Sequence, residues 1–207
     1  MSPVHLLVGP FSGEESATPA ENSPLEKGGR SLTRRWWDIL VWIAVILAQN
    51  VTHEVTHYLA AVGLGERVLA FRFLTNGWGT SQVLYATPVA ERAGAHWLVI
   101  ALAPTLVTVL IGYVIYACRR SLVSPGRRLL NMVAWYGGLV FLLLDPLYIG
   151  VLSLFVGGDV GAVSVVGWSP WVVRAAGLAL LAGNGLLVAR WVRELLPSGR
   201  PSGRQLA

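Results

Sequence analysis

The sequence predicts an all-α membrane protein with about four transmembrane helices and a small β-hairpin between the first and second spans. Of its 207 residues, 54% are hydrophobic and only 13% are charged, whereas roughly 25% of residues in soluble domains are charged. Apolar stretches long enough to cross a bilayer, about 20 residues, occur four times, at 36–64, 95–118, 129–155 and 170–192. Several tryptophans stand at the ends of these stretches, as expected of side chains that prefer the membrane interface.

The chain is expected to form one membrane core with a tail at each end. Residues 1–35 are rich in Ser, Pro, Gly and Glu without apolar periodicity, which predicts a disordered tail. Residues 194–207 have the same character. The first apolar run begins too late and is too long for a signal peptide. Residues 36–193 are therefore expected to form the core.

The first span carries three ionisable residues within five positions, in the pattern His53-Glu54-x-x-His57. Positions i and i+4 share a helix face, so the two imidazoles can bind one divalent ion. Glu54 can then act as general base on a zinc-bound water. Asn50 lies one turn before Glu54 and is expected to face substrate or support the site. Because ionisable groups inside hydrocarbon are costly unless they pair or bind something, the pattern predicts a Zn2+ site.

The segment after the first span has the pattern of a β-hairpin. Residues 67–86 contain two runs of apolar, aromatic and polar residues on either side of an Asn-Gly pair at 76–77. Asn-Gly between two such runs favours a tight hairpin turn. We therefore expect a small extracytoplasmic hairpin there.

A third zinc ligand has to come from elsewhere in the chain, because catalytic zinc usually takes three protein ligands. The sequence contains three aspartates, Asp38, Asp145 and Asp159. Asp38 would lie about 22 Å along the helix from His53, and the remaining glutamates stand in the tails and loops. The candidates are therefore Asp145 and Asp159.

Depth in the membrane does not decide between Asp145 and Asp159 as the third zinc ligand. Asp145 and His53 lie equally far from the starts of their spans, about 24 Å on straight helices. Asp159 would lie about 45 Å from the start of the third span on a straight helix. However, Pro146 disfavours helix at Asp145, and a broken segment lining a cavity is tolerated at membrane depth. Such a break would carry Asp159 back toward the histidines.

The charge distribution predicts orientation rather than nucleic-acid binding. The net charge is +5, but the basic residues do not form a patch. In a four-span topology one side of the membrane holds Lys27, Arg30, Arg34, Arg35, Arg119, Arg120, Arg127, Arg128, Arg190, Arg193, Arg200 and Arg204. An excess of Lys and Arg marks the cytoplasmic side, so we expect a multi-pass protein of the cell membrane with both termini cytoplasmic. This orientation puts the two histidines in the outer half of the bilayer.

These motifs resemble the site-2 protease (M50) family of intramembrane zinc metalloproteases. The HExxH pattern stands in the first core span, as in the family, and a later region is similar to its Asn-Pro and Leu-Asp-Gly elements. The residues that carry this later similarity are Asp145-Pro146 and Gly157-Gly158-Asp159. Ala103-Pro104-Thr105 in the second span is similar to the family's small-residue-Pro element.

The resemblance implies a set of site residues. His53, His57 and Asp159 would bind zinc, Glu54 would be the base, and Asp145 would face substrate or support the site. Asp145 remains the second candidate for third ligand, because Leu-Asp-Pro at 144–146 also resembles Leu-Asp-Gly with its glycine replaced.

The resemblance also implies a function, that of a zinc-dependent intramembrane metalloendopeptidase acting on membrane-associated or transmembrane protein substrates. The family places a β element between its first two core spans, where an extended substrate could add a strand. Its best-known members hold the metal nearer the cytoplasmic face, opposite to the orientation that the charges predict here. The expected partners are a membrane protein substrate and the lipid bilayer, without nucleic acid.

Two other functions stay open on the residues alone. The first is a zinc-binding membrane protein without protease activity, although binding alone has no need of Glu54. The second is a small transporter that uses the histidines and aspartates as a metal or proton relay. The single cysteine, Cys118, excludes an internal disulfide and a cysteine-based zinc site.

Overall fold

The computed structural model describes residues 24–76, 80–123, 126–156 and 158–195. The chain divides into two units, Met1–Trp37 and Asp38–Ala207. The predicted tail segments 1–23 and 196–207 lie outside the described residues. The elements are, in order, α1 (Pro24–Gly63), β1 (Val68–Asn76), β2 (Thr80–Tyr85), α2 (Ala95–Ala117), α3 (Arg119–Leu122), α4 (Arg128–Leu147), α5 (Ser153–Val156), α6 (Asp159–Val165) and α7 (Pro170–Leu195).

Among the residues that the structure describes, four helical segments are long and apolar enough to cross a membrane, which confirms the predicted all-α, multi-pass membrane architecture. These spans are Arg35–Gly63, Ala95–Ala117, Arg128–Phe155 and Pro170–Glu194. Their outward faces are apolar, with Leu106 and Leu186 each 67% exposed. A large exposed apolar surface is unfavourable in water but suits contact with a membrane.

The first helix begins earlier than expected. Residues 24–35, predicted as part of a disordered tail, form the start of α1. Pro24 fits the first helical turn because an N–H at that position has no helical partner in any case. The pair Gly28-Gly29 lowers helix propensity by about 1 kcal/mol per residue, but each added residue also gains a backbone hydrogen bond once a helix exists.

The predicted hairpin between the first and second spans is confirmed. Strands β1 and β2 pair antiparallel, with Val68 opposite Tyr85 and Arg72 opposite Gln82. The expected turn runs into residues 77–79, which lie outside the described residues. Val68 packs at the base of the hairpin against a buried cluster that includes Trp97 of α2. The hairpin is therefore anchored on the end of the second span.

The third span continues through Asp145-Pro146, where the sequence predicted a break. Proline lacks the N–H that would bind the carbonyl of Leu142, four residues earlier. Here the Nδ2 of Asn184, a buried residue of α7, donates to that carbonyl at 2.7 Å. The helix therefore passes the proline without leaving a buried carbonyl unpaired. It changes pitch just afterwards, in a π-helical turn at 148–152.

The chain then reverses direction and returns to the interior. It turns at Gly158, which has a φ of 67°, a value that glycine adopts without steric cost. A Cβ at this position would also collide with the hydroxyl of Tyr148. The short helix α6 follows, and its Val160 and Val163 pack in a buried cluster with Ala101 of α2. This return path brings Asp159 to the side of α2 that carries Ala101.

Close packing holds the spans together. α4 packs against both α2 and α7. A Cβ at Gly112 would lie 2.9 Å from Leu142, and a Cβ at Gly177 would lie 2.7 Å from Ile149. Small residues at such contacts let transmembrane helices approach closely. The contacts fix the position of α4, which carries Asp145.

Candidate metal centre

His53 and His57 lie one turn apart on the same face of α1. Both side chains are buried, and their ring centroids are 5.0 Å apart. The spacing of four residues brings the rings together because it is close to one helical turn. The two Nε2 atoms point to a common region, where the third candidate ligand lies.

Asp159, the first residue of α6, completes a group of three. Its Oδ2 lies 3.3 Å from the Nε2 of His53, and its Oδ1 lies 3.2 Å from the Nε2 of His57. One ligand atom from each residue falls within 4.8 Å of the others. Two imidazole nitrogens and a carboxylate are the donor set of many catalytic zinc sites, which leave a fourth position open.

The far nitrogen of each histidine faces a group that accepts a hydrogen bond. The Nδ1 of His53 donates to Oδ2 of Asp145 at 3.0 Å, and the Nδ1 of His57 donates to the carbonyl of Ile100 at 2.8 Å. A neutral imidazole that carries its proton on Nδ1 has a lone pair on Nε2. Two lone pairs and a carboxylate therefore converge, an arrangement that requires a proton or a metal cation between them. The residues present fit a divalent metal ion.

The charge state of Asp159 agrees with this reading. Burial alone would raise the pKa of its carboxyl. With a proton on each Nε2 in place of a metal ion, hydrogen bonds from His53 and His57 outweigh burial and lower the pKa below its usual value. The carboxylate is therefore ionised at neutral pH. An ionised carboxylate is the form that binds a metal ion.

Asp145 lies behind His53 and away from the Nε2 atoms. In addition to His53, it accepts hydrogen bonds from Nε2 of Gln49 at 2.7 Å and from the hydroxyl of Thr108. All four side chains are buried. The structure thus brings Asp159, and not Asp145, together with the two Nε2 atoms. The assignment of Asp159 as a zinc ligand stays a prediction.

Two partners of Asp145 were missed by the sequence analysis. Gln49 lies four residues before His53, so it shares a face of α1 with the motif. A polar amide in that position of an apolar span was a usable signal. Thr108 gave no such signal, because a hydroxyl in a transmembrane helix often bonds to its own backbone.

The other predicted site residues lie on α1 beside the histidines. Glu54 is buried and follows His53 directly. The Oδ1 of Asn50 accepts a hydrogen bond from Ser81 of β2 at 2.7 Å. Asn50 therefore ties the hairpin to the helix that carries the HExxH motif, which is a supporting contact.

The geometry describes a multi-pass membrane protein with two buried histidines and one half-buried aspartate able to hold a metal ion. Comparison of the chain with protein-family models, curated proteins and solved structures gives no match. The functional interpretation therefore rests on the residues of the site and on their geometry.

Proposed function

We propose that this protein is a zinc-dependent intramembrane endopeptidase that resembles the site-2 proteases. One observation carries the proposal. The Nε2 atoms of His53 and His57, on an HExxH helix long and apolar enough to span a membrane, converge on the carboxylate of Asp159 at 3.2–3.3 Å. Glu54 adds a carboxylate that metal binding alone does not require.

The chain's residues divide the chemistry among them. His53, His57 and Asp159 would hold the zinc ion. Zinc, when bound, lowers the pKa of its water to about 7 and polarises a carbonyl. Glu54 accepts a proton from the attacking water and passes it to the leaving amine, so that one peptide bond and one water yield a carboxylate and an amine.

The location of the site supports a membrane-embedded class of substrate. The histidines lie within an apolar span, so the substrate has to present a peptide bond inside or beside the membrane. A helical substrate shields its own carbonyls through intrahelical hydrogen bonds, so the cleaved segment has to unwind. We propose a membrane protein substrate in the bilayer, and no nucleic acid.

The proposed orientation follows from the basic residues. With both termini cytoplasmic in the cell membrane, the first span runs outward and its histidines lie in the outer half of the bilayer. The hairpin then lies on the outer side. The clusters of arginine around residues 119–128 and 190–193 support this orientation.

Metal analysis of the purified protein, combined with a cleavage assay, tests the function. We expect wild type to contain one zinc ion per chain, and His53→Ala and Asp159→Ala to contain none. Glu54→Gln should retain zinc and lose cleavage of a membrane-spanning reporter, because it removes the base and keeps the ligands.

The same measurements separate the alternatives. Zinc with no cleavage by wild type would favour a metal-binding protein without protease activity. Metal flux into vesicles that Glu54→Gln impairs would favour a transporter. A wild-type protein free of zinc and unaffected by chelators would contradict the proposal.

A further inference from the structure

Pro104 stands inside the second span, four residues after Ile100. Helix α2 runs from Ala95 to Ala117 with this proline in its interior, where it is fully buried. In an α-helix the N–H of residue 104 would bind the carbonyl of residue 100. Proline has no N–H, so the buried carbonyl of Ile100 requires a donor from outside the helix.

That donor is a histidine of the candidate metal centre. The Nδ1 of His57 lies 2.8 Å from the oxygen of Ile100. Because a carbonyl only accepts, the proton has to reside on Nδ1. The neutral ring then keeps its lone pair on Nε2, the atom that lies 3.2 Å from Asp159.

We infer that Pro104 is a positioning residue of the metal centre. By leaving the carbonyl of Ile100 without a helical donor, it fixes the tautomer and the ring orientation of His57, so that Nε2 is presented to the metal ion. The inference rests on the proposed function in so far as that function includes zinc binding.

A second proline in the molecule shows the same arrangement. Pro146 leaves the carbonyl of Leu142 without its helical donor, and a buried side chain of another helix, Asn184, binds it at 2.7 Å. The two prolines differ in the side chain that binds the freed carbonyl. Asn184 joins two spans, whereas His57 belongs to the metal-binding group.

The two histidines are oriented by different kinds of group. The ring of His57 is oriented by a backbone carbonyl, that of Ile100, whereas the ring of His53 is oriented by a side chain. His53 is held by the carboxylate of Asp145, which Gln49 and Thr108 hold in turn. The Nδ1 of His57 binds the backbone carbonyl of Ile100, which no substitution of the Ile100 side chain removes. The residue that controls the availability of this carbonyl is Pro104.

Replacing Pro104 with alanine tests the inference. The alanine N–H supplies the missing helical donor for Ile100 and competes with His57 for its carbonyl. Loss of a group that orients a ligating histidine typically costs about 10–100-fold in metal affinity. We therefore expect a zinc dissociation constant about 10–100-fold higher than that of wild type, measured with purified protein in detergent by competition with a chromophoric chelator.

Val109→Ala is the matched control. Val109 is a buried residue of the same helix, and its truncation leaves a cavity without changing the hydrogen bonding of Ile100. Its zinc affinity should stay close to that of wild type. If both variants melt at similar temperatures and Pro104→Ala binds zinc as tightly as wild type, the inference is overturned.

A measurement on zinc-loaded wild type keeps the test decisive even if Pro104→Ala does not fold. The 15N spectrum of histidine-labelled protein should show the proton of His57 on Nδ1 and the metal on Nε2. A proton on Nε2, or metal bound through Nδ1, overturns the inference. Wild type that binds no zinc contradicts the proposed function and the inference with it, whereas equal affinities in wild type and Pro104→Ala contradict only the role of Pro104.

Discussion

Polar side chains connect four elements at the candidate metal centre, the fourth being α2, whose Thr108 binds Asp145 of α4. Gln49 and His53 of α1 both bind Asp145 of α4, while His53 and His57 both face Asp159 of α6. Inside a membrane each of these groups is costly if it is left without a partner. The position of every candidate ligand is therefore tied to another polar group. Asp145 is central to the set because it accepts from three side chains.

Replacing Asp145 with asparagine should weaken zinc binding without abolishing it. The amide keeps the size of the side chain but removes the charge and replaces one acceptor with a donor. The loss of a carboxylate that orients a ligating histidine should raise the zinc dissociation constant about 10–100-fold. Chelator competition in detergent measures this change.

Asp38→Asn provides the control for this substitution. Asp38 is an exposed carboxylate that pairs with Arg128 at 3.1 Å, so its loss should leave the zinc affinity unchanged. Loss of zinc from Asp145→Asn as complete as from Asp159→Ala would instead identify Asp145 as a ligand. Unchanged affinity would show that His53 does not depend on its contact with Asp145.

At the scale of the helices, α4 is the element that the sequence described least well. The proline rule predicted a break at Asp145-Pro146, but the helix continues because Asn184 binds the carbonyl that the proline leaves free. Asn184 also accepts from the hydroxyl of Tyr113 at 2.8 Å. One buried amide thus connects α2, α4 and α7. The change of pitch after Leu147 and the turn at Gly158 then return the chain toward the histidines, which a straight helix could not do.

Replacing Asn184 with alanine should destabilise the protein by about 1–3 kcal/mol, the usual cost of a buried polar group left without its hydrogen bond. Adding Pro146→Ala should offset part of this loss, because the new N–H binds the carbonyl of Leu142 within the helix. Unfolding in mixed micelles measures the four proteins of this double-mutant cycle.

Tyr113→Phe serves as the control, since it removes the contact to Oδ1 of Asn184 and leaves the bond to Leu142 intact. Its combination with Pro146→Ala should be additive. An additive result for Asn184→Ala with Pro146→Ala would show that the carbonyl of Leu142 does not couple the two positions.

At the scale of the whole molecule, the orientation of the chain decides which side of the membrane the centre faces. The distribution of basic residues predicts that the connection between the second and third spans lies in the cytoplasm. The single cysteine, Cys118, lies exposed at the end of α2, next to this connection. Labelling of this natural cysteine can therefore report on which side of the membrane the connection lies.

A membrane-impermeant maleimide should label Cys118 in inverted vesicles and leave it unlabelled in intact cells. Arg72→Cys in a Cys118→Ser background should show the reverse pattern, because Arg72 is exposed on the hairpin. Cys118→Ser alone should not be labelled. Labelling of Cys118 from outside the cell would invert the topology and put the histidines nearer the cytoplasmic face.

The sequence alone determined the membrane class, the four spans, the hairpin and the pairing of His53 with His57. These features depend on local periodicity and composition. Apolar runs of sufficient length specify spans, Asn-Gly between two strand-like runs specifies a hairpin, and a separation of four residues specifies a shared helix face. None of them requires knowledge of a distant partner.

Only the tertiary structure decided which aspartate meets the two Nε2 atoms and which groups hold the histidines from behind. Asp159 is separated from His53 by 106 positions and Asp145 by 92, so neither contact follows from local pattern. Which aspartate reaches the Nε2 atoms depends on the path of the chain after Pro146. The helix continues past this proline because Asn184, on another helix, binds the carbonyl of Leu142. The partner of His57 is the backbone carbonyl of Ile100. Every residue has such a carbonyl, so the only sequence signal for this contact is Pro104, which removes the helical donor of that carbonyl.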